Sequence, residues 1–149
     1  MAIAIENAGA QKGFLVLNDN DKLIVVAEAF VVGKIIEVEV MMNQPIQQSK
    51  KMSKSVLQYV MRTQKNLLIK DARNHELFRY STYIQNQKTL SVLCVPVITQ
   101  GKFLGLLYLE NNSLKDAFKE SDLELLRLLS GQIATSIDNA TLYKNLENK

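Results

Sequence analysis

The residue types that carry out covalent or metal chemistry are scarce in this sequence. It contains one cysteine, Cys94, and one histidine, His75. A lone cysteine cannot form an intramolecular disulfide, and one cysteine with one histidine is too few ligands for a structural zinc site. A Ser/His/Asp triad is not indicated, because nothing in the sequence places His75 beside a nucleophile. We therefore predict a protein that is not an enzyme and has no metal site.

A second group of side chains could line a cavity for a small molecule. Aromatic rings can form its walls, and an arginine can bind a carboxylate or a phosphate. The candidate ligand-binding residues are Tyr59, Arg73, Phe78, Tyr80, Tyr83 and Cys94. Each also has a structural interpretation, which we favour. The aromatic rings pack short helices onto a sheet, Arg73 pairs with Asp71 or Glu76, and the cysteine is a small buried hydrophobic residue.

Length and composition favour one globular domain spanning residues 1–149. Of the 149 residues, 47% are hydrophobic and 22% charged, and the net charge is +3. The basic residues form no stripe interleaved with aromatics, so we expect no nucleic-acid partner. No apolar run approaches the roughly 20 residues that span a bilayer, and the first residues do not resemble a secretory signal. With one cysteine, a reducing compartment fits, and we expect a cytoplasmic protein without a membrane partner.

Runs of β-forming residues predict the strands that must position these side chains. The run Asn18-Asp19-Asn20-Asp21 predicts a turn between the first two strands. Gly101 predicts a hairpin turn between the last two. Pro96 lacks an N–H group and predicts a sheet edge or a bulge. The predicted strands are residues 13–17, 22–32, 35–41, 67–69, 89–98 and 102–110.

Short helices are predicted between the strands. Residues 3–8 resemble the last turns of a helix that the sequence truncates, with Gly9 as its C-cap. Ser53 is predicted to cap a helix that runs to about Thr63. A second short helix is expected after Asn74, with Leu77, Phe78 and Ile84 as its apolar contacts.

A long helix over residues 121–147 closes the sequence. Ser121 and Glu124 predict a capping box at its start. One apolar stripe recurs at spacings of three and four residues: Leu126, Leu129, Ile133, Ile137 and Ala140. A neighbouring face carries Leu125, Leu128, Thr135, Leu142 and Leu146. Since one face suffices to cover a sheet, we predict a dimer or linker helix. In the alternative, both faces pack inside the domain against the first helix.

Four segments of the chain form a recognisable set of motifs: Gly13-Phe14-Leu15-Val16-Leu17, Asp71-Ala72-Arg73, Leu93-Cys94-Val95-Pro96-Val97, and residues 101–111 followed by Phe118 and Asp122. From about Ile5 to Leu146 the chain resembles a GAF domain in these motifs. The fourth motif is the most specific, and it resembles GAF domains of bacterial signalling proteins that contain histidine kinase or Ser/Thr kinase modules.

The resemblance implies an α+β fold and a range of ligands. The fold would have a central antiparallel sheet of five or six strands, with terminal helices on one face and the short helices over the other. Bilin-binding relatives use a helical Cys followed by His. Here Cys94 is predicted on a strand and His75 precedes it, so a covalent bilin is not expected and the cofactor stays unknown.

Cyclic-nucleotide-binding relatives carry Asn-Lys, then Phe, then Asp-Glu. This chain matches Lys115, Phe118 and Asp122, but Leu123 replaces the Glu and Asn112 is separated from the lysine. Phe118 at the sheet edge and Asp122 at a helix N-terminus provide a structural alternative.

Three functions follow from the resemblance. The first is a sensory module of a bacterial two-component or Ser/Thr kinase protein, which binds a small molecule and signals to a covalently attached output domain. The second is a ligand-free module that forms a homodimer through its terminal helices. The third is a thiol reductase of free methionine sulfoxide, which requires a second cysteine to resolve the sulfenic acid. Because Cys94 is alone, we rank the third last.

Overall fold

The computed structural model describes residues 12–19, 22–32, 35–46, 52–113 and 115–147. It contains a six-stranded sheet with the strand order β3-β2-β1-β6-β5-β4, in which all neighbours are antiparallel. This confirms the α+β fold predicted from the sequence. The strands are β1 (Lys12–Asp19), β2 (Lys22–Val32), β3 (Ile35–Pro45), β4 (Leu67–Ile69), β5 (Ser91–Thr99) and β6 (Lys102–Asn111).

Three helices accompany the sheet in the described part of the chain. They are α1 (Lys54–Thr63), α2 (Thr82–Gln87) and α3 (Glu120–Glu147), with a 3-10 turn at Ala72–Asn74. The helix predicted at residues 3–8 lies outside the described residues.

The two faces of the sheet carry separate cores, because successive strand residues point to opposite sides. One core packs beneath α1 and α2, and its strand residues include Val92, Cys94, Leu106 and Tyr108. The other packs beneath α3, and its strand residues include Leu93, Val95, Leu107 and Leu109. Both helical layers predicted from the sequence are therefore present, as far as the described residues extend.

The hairpin between β5 and β6 has the tight turn that the sequence predicted. Gln100 and Gly101 have φ angles of 49° and 75°. Positive φ at both central residues is the type I′ geometry that matches strand twist. Pro96 pairs with Leu106 of β6, and on its other side β4 reaches only as far as Cys94. The proline thus lies where β5 is an edge, as its missing N–H requires.

Two predictions about helices are wrong in detail. The capping box at Ser121 does not form, since α3 begins at Glu120 and the Lys119 N–H donates to Oδ2 of Asp122 at 2.8 Å. The helix expected directly after Asn74 starts later, at Thr82. Between Asn74 and Thr82 the chain forms turns, and Leu77 lies in one of them with 58% of its side chain exposed.

Candidate functional site

A cavity of about 530 Å³ opens beside the start of α1 and along α2. That volume is within the usual range for small-molecule sites. Met52 and the Tyr83 ring are the apolar parts of its wall, and the remaining lining side chains are polar. The lining residues are Met52, Lys54, Ser55, Ser81, Thr82, Tyr83, Asn86 and Gln87.

Behind Tyr83 lies a buried carboxylate, Glu110, near the end of β6. The Tyr83 hydroxyl donates to Oε1 of Glu110 at 2.7 Å. The Tyr108 hydroxyl donates to the same oxygen at 3.2 Å. The Thr89 hydroxyl donates to Oε2 at 3.3 Å, so both oxygens have partners. Lys12 Nζ lies 3.9 Å from Oε1 and supplies the opposite charge.

Strand register explains how these groups meet. Lys12 of β1 pairs directly with Glu110 of β6, so their side chains lie on the same face. Tyr108 is two residues before Glu110 on the same strand and shares that face. Tyr83 comes from α2, and Lys12 Nζ lies 5.5 Å from the centre of its ring. The cluster thus joins α2 to the two central strands of the sheet.

Burial determines the protonation of this cluster. It raises the pKa of Glu110 above its ordinary value, while Lys12 and the hydroxyl donors oppose the rise. Burial, and then the Glu110 charge, also raise the pKa of Tyr83 and of Tyr108. Both tyrosines therefore keep their protons and remain hydrogen-bond donors to the carboxylate.

Ser53 links the cluster to the start of α1. Its backbone N–H donates to the Tyr108 hydroxyl at 3.4 Å. Its Oγ lies 3.1 Å from Oγ of Ser81, which lines the cavity. Ser53 therefore occupies the N-cap position predicted from the sequence, but its side chain binds α2's N-cap residue, Ser81, and not the first turn of α1.

The segment that leads from β6 to α3 is fastened to the end of β4 and the start of β5. The Asp116 N–H donates to the Lys70 carbonyl at 2.8 Å. The Ala117 N–H donates to Oγ of Ser91 at 3.0 Å, and that hydroxyl donates to the same Lys70 carbonyl at 3.4 Å. Residues that follow Glu110 in the chain are therefore held close to the sheet before α3 begins.

Of the six candidate ligand-binding residues, Tyr83 lines the cavity described above. Tyr59 and Phe78 contact each other edge to face, with ring centres 5.4 Å apart, and Phe78 is buried. Tyr80 is 68% exposed, and its hydroxyl accepts a hydrogen bond from Arg79 at 2.7 Å.

Arg73 and Cys94 lie in different surroundings. Arg73 is exposed in the 3-10 turn, and its backbone N–H binds the carboxylate of Asp71. That carboxylate pairs with Lys115 at 3.4 Å, so the ion pair differs from the Arg73 pair considered from the sequence. Cys94 is fully buried, and burial raises the pKa of its thiol. A buried neutral thiol is a poor nucleophile.

The residues that resemble a cyclic-nucleotide motif all contact other groups of the protein. Phe118 is buried in the core beneath α3. Asp122 accepts the Lys119 N–H at the start of α3, and Lys115 pairs with Asp71. His75, the lone histidine, packs its ring 4.9 Å from Phe78 and accepts the Leu77 N–H through Nδ1.

The apolar stripe of α3 faces the sheet where its side chains are described. Leu126 is buried, and Leu129 and Ile133 are partly buried against the same core. The side chains of Ile137 and Ala140 lie outside the described part of the structure. On the neighbouring face, Leu128 is 69% exposed.

Sequence reasoning named Tyr83 but missed Glu110 and the other groups around it, which are Lys12, Thr89 and Tyr108. Tyr108 and Glu110 lie two residues apart on a predicted strand, which indicated a shared face. Nothing local indicated that Lys12, Thr89 and Tyr83 converge there, because these residues are far apart in the chain.

The described residues contain neither a metal-binding cluster nor a membrane-spanning helix. Among them, no group of three or more His, Cys, Asp or Glu side chains could hold a metal ion. In the same part of the chain, no helix has both the length and the apolar character needed to cross a bilayer.

Comparison with known proteins identifies the family. A family model for the GAF domain matches residues 1–137. The chain belongs to the GAF domain family. This GAF domain has a six-stranded antiparallel sheet with helices packed on both faces.

One curated relative of this GAF domain is a signalling protein. It is the hybrid signal transduction histidine kinase G of Dictyostelium discoideum, 39% identical over 89 residues. The match covers 60% of this chain and 3% of the relative. This chain therefore spans only a small part of that relative's length. The relative comes from Dictyostelium discoideum, so it does not support the bacterial source expected from the sequence.

Solved structures with the same fold include a signalling domain and an enzyme. The GAF domain of a two-component sensor histidine kinase from Bacillus halodurans has a TM-score of 0.63 at 17% identity, covering 97% of each chain. The free methionine-R-sulfoxide reductase from Neisseria meningitidis has a TM-score of 0.66 at 14% identity, covering 95% of this chain and 75% of that chain. At these identities the likeness concerns the fold alone.

Proposed function

We propose that this GAF domain is a cytoplasmic sensory module of a signal-transduction protein. It binds a small molecule in the cavity beside α1 and α2 and signals through α3 to an attached output domain. The observation that carries the proposal is the hydrogen bond from Tyr83, in the cavity wall, to the buried Glu110 of β6. The histidine kinase relative supports the signalling class.

The signal would begin with a change in the position of Tyr83. A ligand that contacts its ring alters the bond to Glu110, and with it the ion pair to Lys12. Glu110 is followed directly by the segment that binds Lys70 and Ser91 and enters α3. Such a change requires two arrangements of these groups in the domain. The ligand shifts the equilibrium between them only if it binds one arrangement more tightly than the other.

The first test combines ligand binding with hydrogen exchange. Nucleotides, tetrapyrroles and metabolites are screened for a rise in Tm, and a ligand at about 100 times its Kd should stabilise the domain by about 2.7 kcal/mol. With such a ligand, we expect amide exchange to slow around residues 52–55 and 81–87 and to change at the start of α3. If no compound in the screen binds, the sensory function is contradicted. If a ligand slows exchange only at the cavity, signalling from the cavity to α3 is contradicted.

A ligand-free dimerisation module is the second candidate function, favoured by the exposure of Leu128 on α3. Since Leu126 covers the sheet, pairing would use the face that carries Leu128. Sedimentation analysis of wild type and Leu128→Ser tests this candidate, with Leu77→Ser, the same change at an exposed position outside α3, as the control. A dimer that only Leu128→Ser dissociates supports it, whereas a wild-type monomer at high concentration contradicts it.

Catalysis by Cys94 has less support. A thiol reductase forms a sulfenic acid at one cysteine and needs a second thiol to release it as a disulfide. The sequence contains one cysteine, which is fully buried. The raised pKa of this thiol disfavours the reactive thiolate. We therefore propose a non-enzymatic role.

A further inference from the structure

We infer that the cavity beside α1 and α2 binds a small molecule with several hydroxyl or amide groups around an apolar ring face, as in a cyclic polyol or a sugar. The inference rests on the proposed function and specifies the chemical class of its ligand. It follows from the hydrogen-bonding groups in the cavity wall and from the part of Tyr83 that a ligand can contact. We assign Lys54 no role in this selection, because that lining residue already has a partner within the protein.

The wall that α2 forms is largely polar. Residues four apart in a helix lie on the same face, so Thr82 lies beside Asn86 on the side that lines the cavity. In the same way, Tyr83 lies beside Gln87. From α1, Ser55 adds a hydroxyl to the wall. Hydroxyls and side-chain amides can each donate and accept hydrogen bonds, so two helices offer both kinds of group to a ligand.

Most of these polar groups are accessible to a ligand. Ser81 is the exception, since its Oγ lies 3.1 Å from Oγ of Ser53. The other four side chains are exposed, and none of them hydrogen-bonds to another residue within the described part of the chain. They are Ser55, Thr82, Asn86 and Gln87. A ligand that displaces water from these groups must supply hydrogen bonds of its own, because burying an unpaired polar group costs free energy.

Tyr83 contributes an apolar ring to the wall. Its hydroxyl donates to the buried Glu110 at 2.7 Å, so the ring is the part that a ligand can contact. Met52 is the other apolar side chain among the described lining residues. A cyclic polyol or a sugar has C–H groups on its ring face and hydroxyls around its edge. These features match an aromatic ring that is bordered by amides and hydroxyls.

Matched pairs of uncharged molecules test this class. Each pair is a ring with several hydroxyls and a ring of the same size with one or none: myo-inositol and cyclohexanol, glucose and tetrahydropyran. Binding to the full chain is measured by thermal shift and by calorimetry. We expect at least one polyol to bind and its partner to bind at least about a hundredfold more weakly. A site built to hydrogen-bond a hydroxyl keeps unpaired polar groups when that hydroxyl is missing.

Variants then test whether the cavity wall is responsible. Gln87→Met removes an amide from the lining and keeps the length of the side chain, so it should weaken binding of that polyol by roughly tenfold, a loss typical of one hydrogen bond. Gln58→Met is the matched control, because it makes the same change at an exposed position of α1 outside the cavity lining. It should leave the affinity of the polyol unchanged.

A ligand from the broader screen is judged by the same two variants. It supports the class if it carries several hydroxyl or amide groups and binds more weakly to Gln87→Met but not to Gln58→Met. A ligand that lacks such groups, or that binds wild type and Gln87→Met equally well, overturns the class and leaves the sensor intact. A polyol that binds no better than its partner has the same consequence.

Two further outcomes also overturn the inference. Equal loss of binding in both glutamine variants does so, because the effect then does not arise in the cavity. Binding of no molecule in these pairs or in the broader screen overturns the inference together with the proposed function.

Discussion

At the scale of single residues, Glu110 has an unusual environment for a carboxylate. Its carboxylate is fully buried, yet three hydroxyls and the ammonium of Lys12 surround it. An unpartnered buried charge would cost several kcal/mol, so these partners are what makes the position tolerable. The raised pKa of Glu110 shows that they offset the cost of burial only in part.

Glu110→Gln should remove a pH dependence of stability. The folded-state pKa of Glu110 is raised above its ordinary value of 4.5, so the folded state holds this proton more tightly than the unfolded state. The resulting stabilisation is present below pH 4.5 and is lost as pH rises through the raised pKa. Each unit by which the two pKa values differ is worth about 1.4 kcal/mol.

The measurement is urea unfolding of both proteins from acidic to neutral pH. Relative to the Gln variant, the wild type should lose free energy of unfolding as the pH rises. The amide keeps an oxygen that accepts hydrogen bonds from the two tyrosines, so the variant should fold. Glu124→Gln, on the exposed surface of α3, removes the same charge. If both variants change the pH dependence equally, burial is not the cause.

At the scale of elements, the close approach of β1 and β6 depends on a residue without a side chain. Gly105 pairs with Leu17 of β1, and a Cβ atom there would overlap the backbone carbonyl oxygen of Val16. By contrast, Gly131 in the middle of α3 has open space where a Cβ would lie. Glycine is therefore required for close packing at position 105 in the sheet, whereas at position 131 it lowers the stability of the helix.

Alanine substitutions at these two glycines should have opposite effects. Gly105→Ala should cost about 3 kcal/mol of unfolding free energy, near the top of the range for overpacking, because backbone atoms must move. Gly131→Ala should gain about 1 kcal/mol, the helix propensity difference between the two residues. Denaturant unfolding measures both. A neutral Gly105→Ala would mean that β1 and β6 separate easily, and a destabilising Gly131→Ala would mean that a neighbour occupies that space.

At the scale of the whole domain, Tyr83 connects the cavity to the sheet. Its ring forms part of the cavity wall, and its hydroxyl donates a hydrogen bond to the buried Glu110 near the end of β6. From Glu110 the chain passes within a few residues to the segment fastened by Lys70 and Ser91, and then to α3. A cavity, a buried charge and a long helix are thus contiguous in space, which supports the proposed ligand-dependent signalling.

Tyr83→Phe should uncouple the cavity from α3. It removes the hydroxyl and keeps the ring, so a ligand should still bind. With one donor fewer at Glu110, the domain should lose about 1–3 kcal/mol of stability. The ligand-induced change in hydrogen exchange at the start of α3 should shrink or disappear.

Tyr80→Phe is the matched control, because it also removes one hydroxyl, from an exposed ring that is not part of the cavity lining. It should leave both the stability and the exchange response of α3 near those of the wild type. An α3 response that persists in Tyr83→Phe would show that coupling takes another route.

The sequence by itself determined the strands, the main turns and the scarcity of chemical groups. Period-two alternation and turn residues such as Gly101 involve only a few neighbouring positions, so they can be recognised in the sequence without knowledge of the fold. The presence of one cysteine, Cys94, and one histidine, His75, can likewise be read from the sequence, and it argued against disulfide, zinc-site and triad chemistry. Helix starts were predicted less well. At α3 the local bond from Lys119 to Asp122 replaced the predicted capping box, and at α1 the Ser53 side chain binds Ser81, 28 residues away.

The tertiary structure alone decided where the candidate site lies. Lys12, Tyr83 and Glu110 come together through strand register and helix packing, which no local pattern encodes. Likewise, the sequence offered two apolar faces of α3, and packing against the sheet assigned Leu126 to the inside and Leu128 to the surface. Local patterns determine which elements form. Burial and charge pairing between distant residues determine which of their side chains form a site.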